Sequence, residues 1–102
     1  MIALPPDTRA RLEALCRRAG VARLEVTGSA ARDDFDPATS DLDLLVEFEA
    51  SAAVSAVDFI ELQAALSRCL GREVDLIELD AVENASIRGA LARDRRPLYV
   101  AA

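Results

Sequence analysis

The chain has 102 residues, 52% of them hydrophobic, and carries a net charge of −6 with a sequence pI of 4.6. That length and apolar content predict one domain spanning 1–102 around a single core and exclude a disordered chain. The acidic balance argues against direct nucleic-acid binding, which needs basic surface to displace counterions. The absence of His excludes imidazole bases and imidazole metal ligands, and all 12 basic residues are Arg, so no P-loop lysine exists.

Pro5-Pro6-Asp7 is a helix start, and Leu12, Leu15, Cys16 and Ala19 recur at helical spacing until Gly20. Leu24 and Val26 alternate with Glu25 and Thr27, which predicts a first strand ending at Gly28. Ser29 to Arg32 reads as a short helical turn, and 33–40 as a polar loop containing Pro37. Leu42 to Phe48 is a second strand, apolar enough to lie centrally in a sheet. Ser51 to Ser55 reads as a linker or cap. A second helix then runs from about Val57 to Leu70, stopped by Gly71, with Phe59, Leu62, Leu66, Cys69 and Leu70 as its apolar stripe. Val74 to Leu79 is a third strand carrying Asp75, Glu83 to Arg93 a last helix, and Pro97 to Val100 a closing edge segment, where proline is tolerated. The order implies an α+β fold, a small mixed sheet of three to four strands backed by helices.

Cys16 and Cys69 sit among apolar helix residues and read as reduced, buried core thiols. Arg93, Arg95 and Arg96 read as a solvated helix terminus, favoured by the macrodipole. No basic-then-apolar leader stands at the N-terminus and no apolar run approaches about 18 residues, so a cytoplasmic protein without membrane association is expected.

The chemistry concentrates in Gly28-Ser29-Ala30-Ala31-Arg32 and, after eleven residues that follow Ser29, Asp41-Leu42-Asp43. In a strand, residues i and i+2 share a face, so Asp41 and Asp43 project side by side. Carboxylates held that close repel unless a cation or a proton lies between them. Gly28 permits close backbone approach, and the Ser29 hydroxyl and N–H suit phosphate oxygens. Arg32 is placed either to clamp a phosphate or to pair with Asp33, Asp34 or Asp36. Seven of the 18 acidic residues lie between Asp33 and Glu49, so a nucleotide is expected to arrive with Mg²⁺. Asp75, flanked by Val74 and Leu76, is the third carboxylate and a candidate to accept a proton from an attacking hydroxyl. Turn and aspartates meet only if strands one and two run antiparallel. Asp75 joins them only if strand three lies beside strand two in matching phase.

The run GSAARDDFDPATSDLDLLVEF resembles the signature of minimal nucleotidyltransferase (MNT) domains of the DNA polymerase β superfamily. Gly28, Ser29, Ala31, Arg32, Ser40, Asp41, Asp43 and Leu44 stand in the matching places, and Leu70-Gly71-Arg72-Glu73-Val74-Asp75-Leu76 is similar to the later segment bearing the third carboxylate. Asp33 stands where the family usually has glycine, and Thr27 where an aromatic is often found. The resemblance implies a polymerase β-like fold, with Asp41, Asp43 and Asp75 as catalytic Mg²⁺ ligands and Gly28, Ser29 and Arg32 on the nucleotide. It further implies transfer of AMP from ATP to a protein hydroxyl, on a cognate HEPN-type toxin, as an antitoxin. A non-catalytic antitoxin that neutralises its partner by binding alone is the alternative, and a nucleotide-sensing subunit that binds ATP without transferring it a third.

Overall fold

Helix α1 (Pro6–Ala19) begins at Pro5, with Pro at its first position and Asp7 in its first turn. There the missing N–H costs nothing and a negative charge suits the helix dipole. It ends at Gly20, whose φ of 75° is open to glycine and whose N–H reaches the carbonyls of the last turn. The computed structural model describes residues 4–27, 42–78, 81–93 and 95–101, with the side chains of Leu91 and Ala92 left aside.

Because Gly20 reverses the chain within one residue, strand β1 (Val21–Thr27) starts three residues earlier than the Leu24/Val26 alternation suggests. Strand β2 (Leu42–Phe48) matches the predicted run. Helix α2 (Ala56–Leu70) opens on a capping box. Ser55 Oγ accepts from the Asp58 N–H and an Asp58 carboxylate oxygen accepts from the Ser55 N–H, both at 3.1 Å. Gly71, at φ 69°, closes it. Strand β3 (Val74–Glu78) follows. Helix α3 (Ala85–Arg93) is capped by the Asn84 side chain, which accepts from the N–H groups of Ser86 and Ile87. Strand β4 (Arg95–Val100) begins two residues before the predicted segment.

The four strands form one sheet in the order β3-β2-β1-β4. β1 is antiparallel to β2 and to β4. β2 and β3 run parallel, with α2 as the crossover between them. Pro97 falls on an edge strand, where its lack of a donor is harmless.

One face of the sheet carries the core. Leu24 and Val26 of β1, Leu42, Leu44 and Val46 of β2, and Val74 and Leu76 of β3 pack with Leu12 and Cys16 of α1 and Leu62 and Leu66 of α2. Successive strand residues alternate sides. Glu25, Thr27, Asp43, Leu45, Asp75 and Ile77 therefore turn to the opposite face, and Leu45, though buried, stands outside that cluster. Both cysteines are free. Cys16 is fully buried. Cys69 is only half-buried, and its thiol donates to the Thr8 carbonyl at 3.7 Å. Burial, with the neighbouring Cys69 adding to it, pushes the Cys16 thiol up to about 12. Among the described residues, no helix is long and apolar enough to cross a membrane.

Candidate active site

The parallel register of β2 and β3 sets Asp43 directly beside Asp75. Register partners share a face and stand one strand spacing apart, about 4.8 Å between backbones. Both topological conditions drawn from the sequence are met: β1 and β2 are antiparallel, and β3 lies beside β2 with its acidic position in phase. Asp43 is half-buried and Asp75 exposed. Asp41, Gly28, Ser29 and Arg32 lie outside the described residues.

Helix α2 fixes this arrangement from the side. β3 is an edge strand, and its outward N–H groups need partners that no strand supplies. Ser67 Oγ accepts from the Val74 N–H at 3.1 Å and Gln63 Oε1 from the Leu76 N–H at 3.0 Å. Four helical residues rise about 6 Å, which matches a two-residue step in a strand, about 6.6 Å. The two acceptors therefore meet alternate amides, and Asp75 is the residue between them. The Leu42 N–H donates to the Glu73 carbonyl at 3.1 Å, which ties the starts of the two acid-bearing strands together.

The row continues across the sheet. Thr27, the last residue of β1, is the antiparallel partner of Asp43 on one side and of Arg95 on the other. One transverse line therefore reads Asp75, Asp43, Thr27, Arg95. Next to it lies Glu25, almost wholly buried, with Arg95 Nη1 at 3.6 Å and Arg23 Nη1 at 3.9 Å from its carboxylate. The sequence reading gave Glu25 and Thr27 no role and took Arg95 for part of a solvated helix end. Instead Arg95 opens a strand and leans on a buried carboxylate. Glu25 is one of the polar residues, with Arg23 and Thr27, that alternate with Leu24 and Val26, so no local signal separates it from a solvated face and only the sheet shows its partners.

Two adjacent carboxylates offer hard, anionic oxygens, the donor set that Mg²⁺ takes together with phosphate. Placed in register, they repel when nothing lies between them. The described part of the site therefore fits a divalent cation. Among the described residues, no group of three or more potential metal ligands occurs.

A family model for the nucleotidyltransferase domain matches residues 9–98, and the chain belongs to that family. A protein of Methanocaldococcus jannaschii, provisionally named a protein adenylyltransferase, is 38% identical over 63 residues. The match spans 62% of this chain and 64% of that relative, just under two thirds of its length. A solved structure described provisionally as a minimal nucleotidyltransferase superposes with a TM-score of 0.71 at 34% identity, over 90% of both chains. The tri-AMPylated HEPN toxin of Shewanella oneidensis in complex with its MNT antitoxin gives a TM-score of 0.64 at 16% identity, over 94% of this chain and 72% of that one. That last likeness is one of fold. The chain thus carries the nucleotidyltransferase domain of that family, with the mixed α+β fold that its sequence predicts.

Proposed function

We propose that this protein is a Mg²⁺-dependent nucleotidyltransferase that moves AMP from ATP to a hydroxyl of a partner protein, a cognate HEPN-type toxin, and so acts as its antitoxin. The observation that carries this reading is the register pairing of Asp43 with Asp75 in a chain whose relatives include a provisionally named protein adenylyltransferase. The acidic charge of the chain fits a protein acceptor better than an RNA acceptor.

Asp43 and Asp75, with Asp41 two residues before Asp43, are the proposed holders of Mg²⁺. Bound there, the ion would neutralise the charge that builds on the phosphate oxygens. The remaining work falls to the chain. Gly28 and Ser29 follow directly on Thr27 and would receive the phosphates, with Arg32 as a further phosphate contact. The acceptor oxygen attacks the α-phosphorus in line, and the bond from that phosphorus to the bridging oxygen breaks. Pyrophosphate leaves, and the hydroxyl proton passes to a carboxylate, a role that the exposure of Asp75 supports.

The test is co-expression with the partner toxin and intact-mass measurement of the recovered toxin. AMP adducts with the wild type, and none with Asp43→Asn, support transfer. Neutralisation by Asp43→Asn equal to wild type, with no adduct in either case, would establish an antitoxin that acts by binding alone.

A further inference from the structure

We propose that Arg95 binds the β- and γ-phosphates of the nucleotide, the part that leaves as pyrophosphate, and that Glu25 positions its guanidinium for that task. This inference rests on the nucleotidyltransferase reading above.

The placement follows from the sheet. Thr27 has Asp43 as its partner on one side and Arg95 on the other. Two strand spacings, about 10 Å, therefore separate the Asp43 and Arg95 backbones. Thr27 is also where β1 ends, and Gly28-Ser29 comes next in the chain. A triphosphate that has its α-phosphate at the carboxylates and extends along this row passes over the end of β1 and runs toward β4. The row thus has anions at the end where a metal and the α-phosphate belong, and a cation at the end where the leaving phosphates belong.

The charges around Arg95 point the same way. Glu25 is 8% exposed, and an ionised carboxylate so buried requires opposite charge beside it. It is flanked by two guanidinium groups, at 3.6 and 3.9 Å. Charge-assisted N–H···O bonds run about 2.7–2.9 Å, so these contacts neutralise Glu25 without committing the donors of Arg95. A guanidinium carries five N–H donors in a planar fork, and the Arg95 side chain is 35% exposed. Arg23 also has Glu47 as its register partner on β2, so of the two arginines Arg95 is the one that stands on the carboxylate face in line with Asp43. Arg96, the next residue, is the partner of Val26 and so alternates to the other face; it is exposed and its Nη1 donates to the Arg95 carbonyl at 3.0 Å.

The experiment is calorimetric titration of the full chain, in Mg²⁺, with α,β-methylene-ATP, which cannot be cleaved at the transferred bond, and separately with AMP. Arg95→Gln is expected to weaken the triphosphate analogue about tenfold or more and to leave AMP affinity unchanged. Arg96→Gln is expected to match the wild type for both. Arg95→Lys keeps a charge opposite Glu25 and guards against a folding defect; without the planar fork it should fall between wild type and Arg95→Gln. If neither Arg95 variant changes the ratio of the two affinities, Arg95 is not a triphosphate ligand, whatever the wild type does. If the wild type binds neither nucleotide, the nucleotidyltransferase reading itself fails, and this inference with it.

Discussion

Asp43 of β2 and Asp75 of β3 are register partners in a parallel strand pair of a sheet whose other pairings, among the described residues, are antiparallel. Like charges directly opposite each other destabilise a sheet by about 0.2–1 kcal/mol. The pairing is therefore a cost to the fold that a cation bound as proposed would relieve. In chelator, Asp75→Asn is expected to melt at or above the wild-type temperature. Added Mg²⁺ should raise the melting temperature of the wild type and leave that of the variant nearly unmoved. Thermal unfolding monitored by circular dichroism checks both.

The clamp of α2 on β3 gives a second expectation. Gln63→Leu and Ser67→Ala each remove the acceptor of a strand N–H beside a buried residue, Leu76 or Val74. An unsatisfied buried donor costs about 1–3 kcal/mol. Urea unfolding should show losses of that size. The acceptors lie outside the row of Asp43 and Asp75, so any fall in nucleotide transfer would report displacement of Asp75.

Gly20 and Gly71 both end helices at positive φ, yet they differ in surroundings. A Cβ on Gly20 would stand 2.7 Å from the Ala52 Cβ, whereas one on Gly71 would meet nothing within 4 Å. The Gly71→Ala penalty is then the left-handed backbone alone, about 1–2 kcal/mol. Gly20→Ala carries the same penalty and must also push back the turn after β2, which is tied to it by the Glu49 N–H donating to the Gly20 carbonyl at 2.8 Å. Denaturant titration should rank Gly20→Ala clearly the less stable of the two.

Cys16 supplies a pH dependence. Burial raises its thiol from 9.0 to about 12, so between those values the folded chain keeps a proton that the unfolded chain has lost. Stability from this group is complete below about pH 9 and falls as pH rises toward 12, by up to about 1.4 kcal/mol per unit. Unfolding free energies measured from pH 8 to 11 should drop more steeply for the wild type than for Cys16→Ala. Parallel slopes would remove Cys16 as the cause.

Much of this was legible in the sequence because local chemistry and tertiary position agree. Ser55, three residues before Asp58, is a capping box, and Gly20 and Gly71 mark helix ends that the structure keeps. The phase of Asp43 follows from the alternation it interrupts, Leu42 and Leu44 inward and Asp43 outward. The pairing with Asp75 was conditional on the neighbour and direction of β3, which no local pattern states. Arg95 was misread for a related reason. Arg93 does end a helix, where a cation suits the dipole, but two residues later the chain is already in an edge strand, and only the register with β1 shows which anion Arg95 faces. Gly28, Ser29, Arg32 and Asp41 remain assignments made from motif and spacing.

The most direct test of the central claim, that Asp43 and Asp75 form one catalytic pair, is transfer of label from ATP labelled at its α-phosphate to the co-purified partner protein in Mg²⁺. Wild type should label the partner, while Asp43→Asn and Asp75→Asn, each folded by circular dichroism, should lose transfer by about a hundredfold or more. Undiminished labelling by either variant would contradict the pairing as the site of the chemistry.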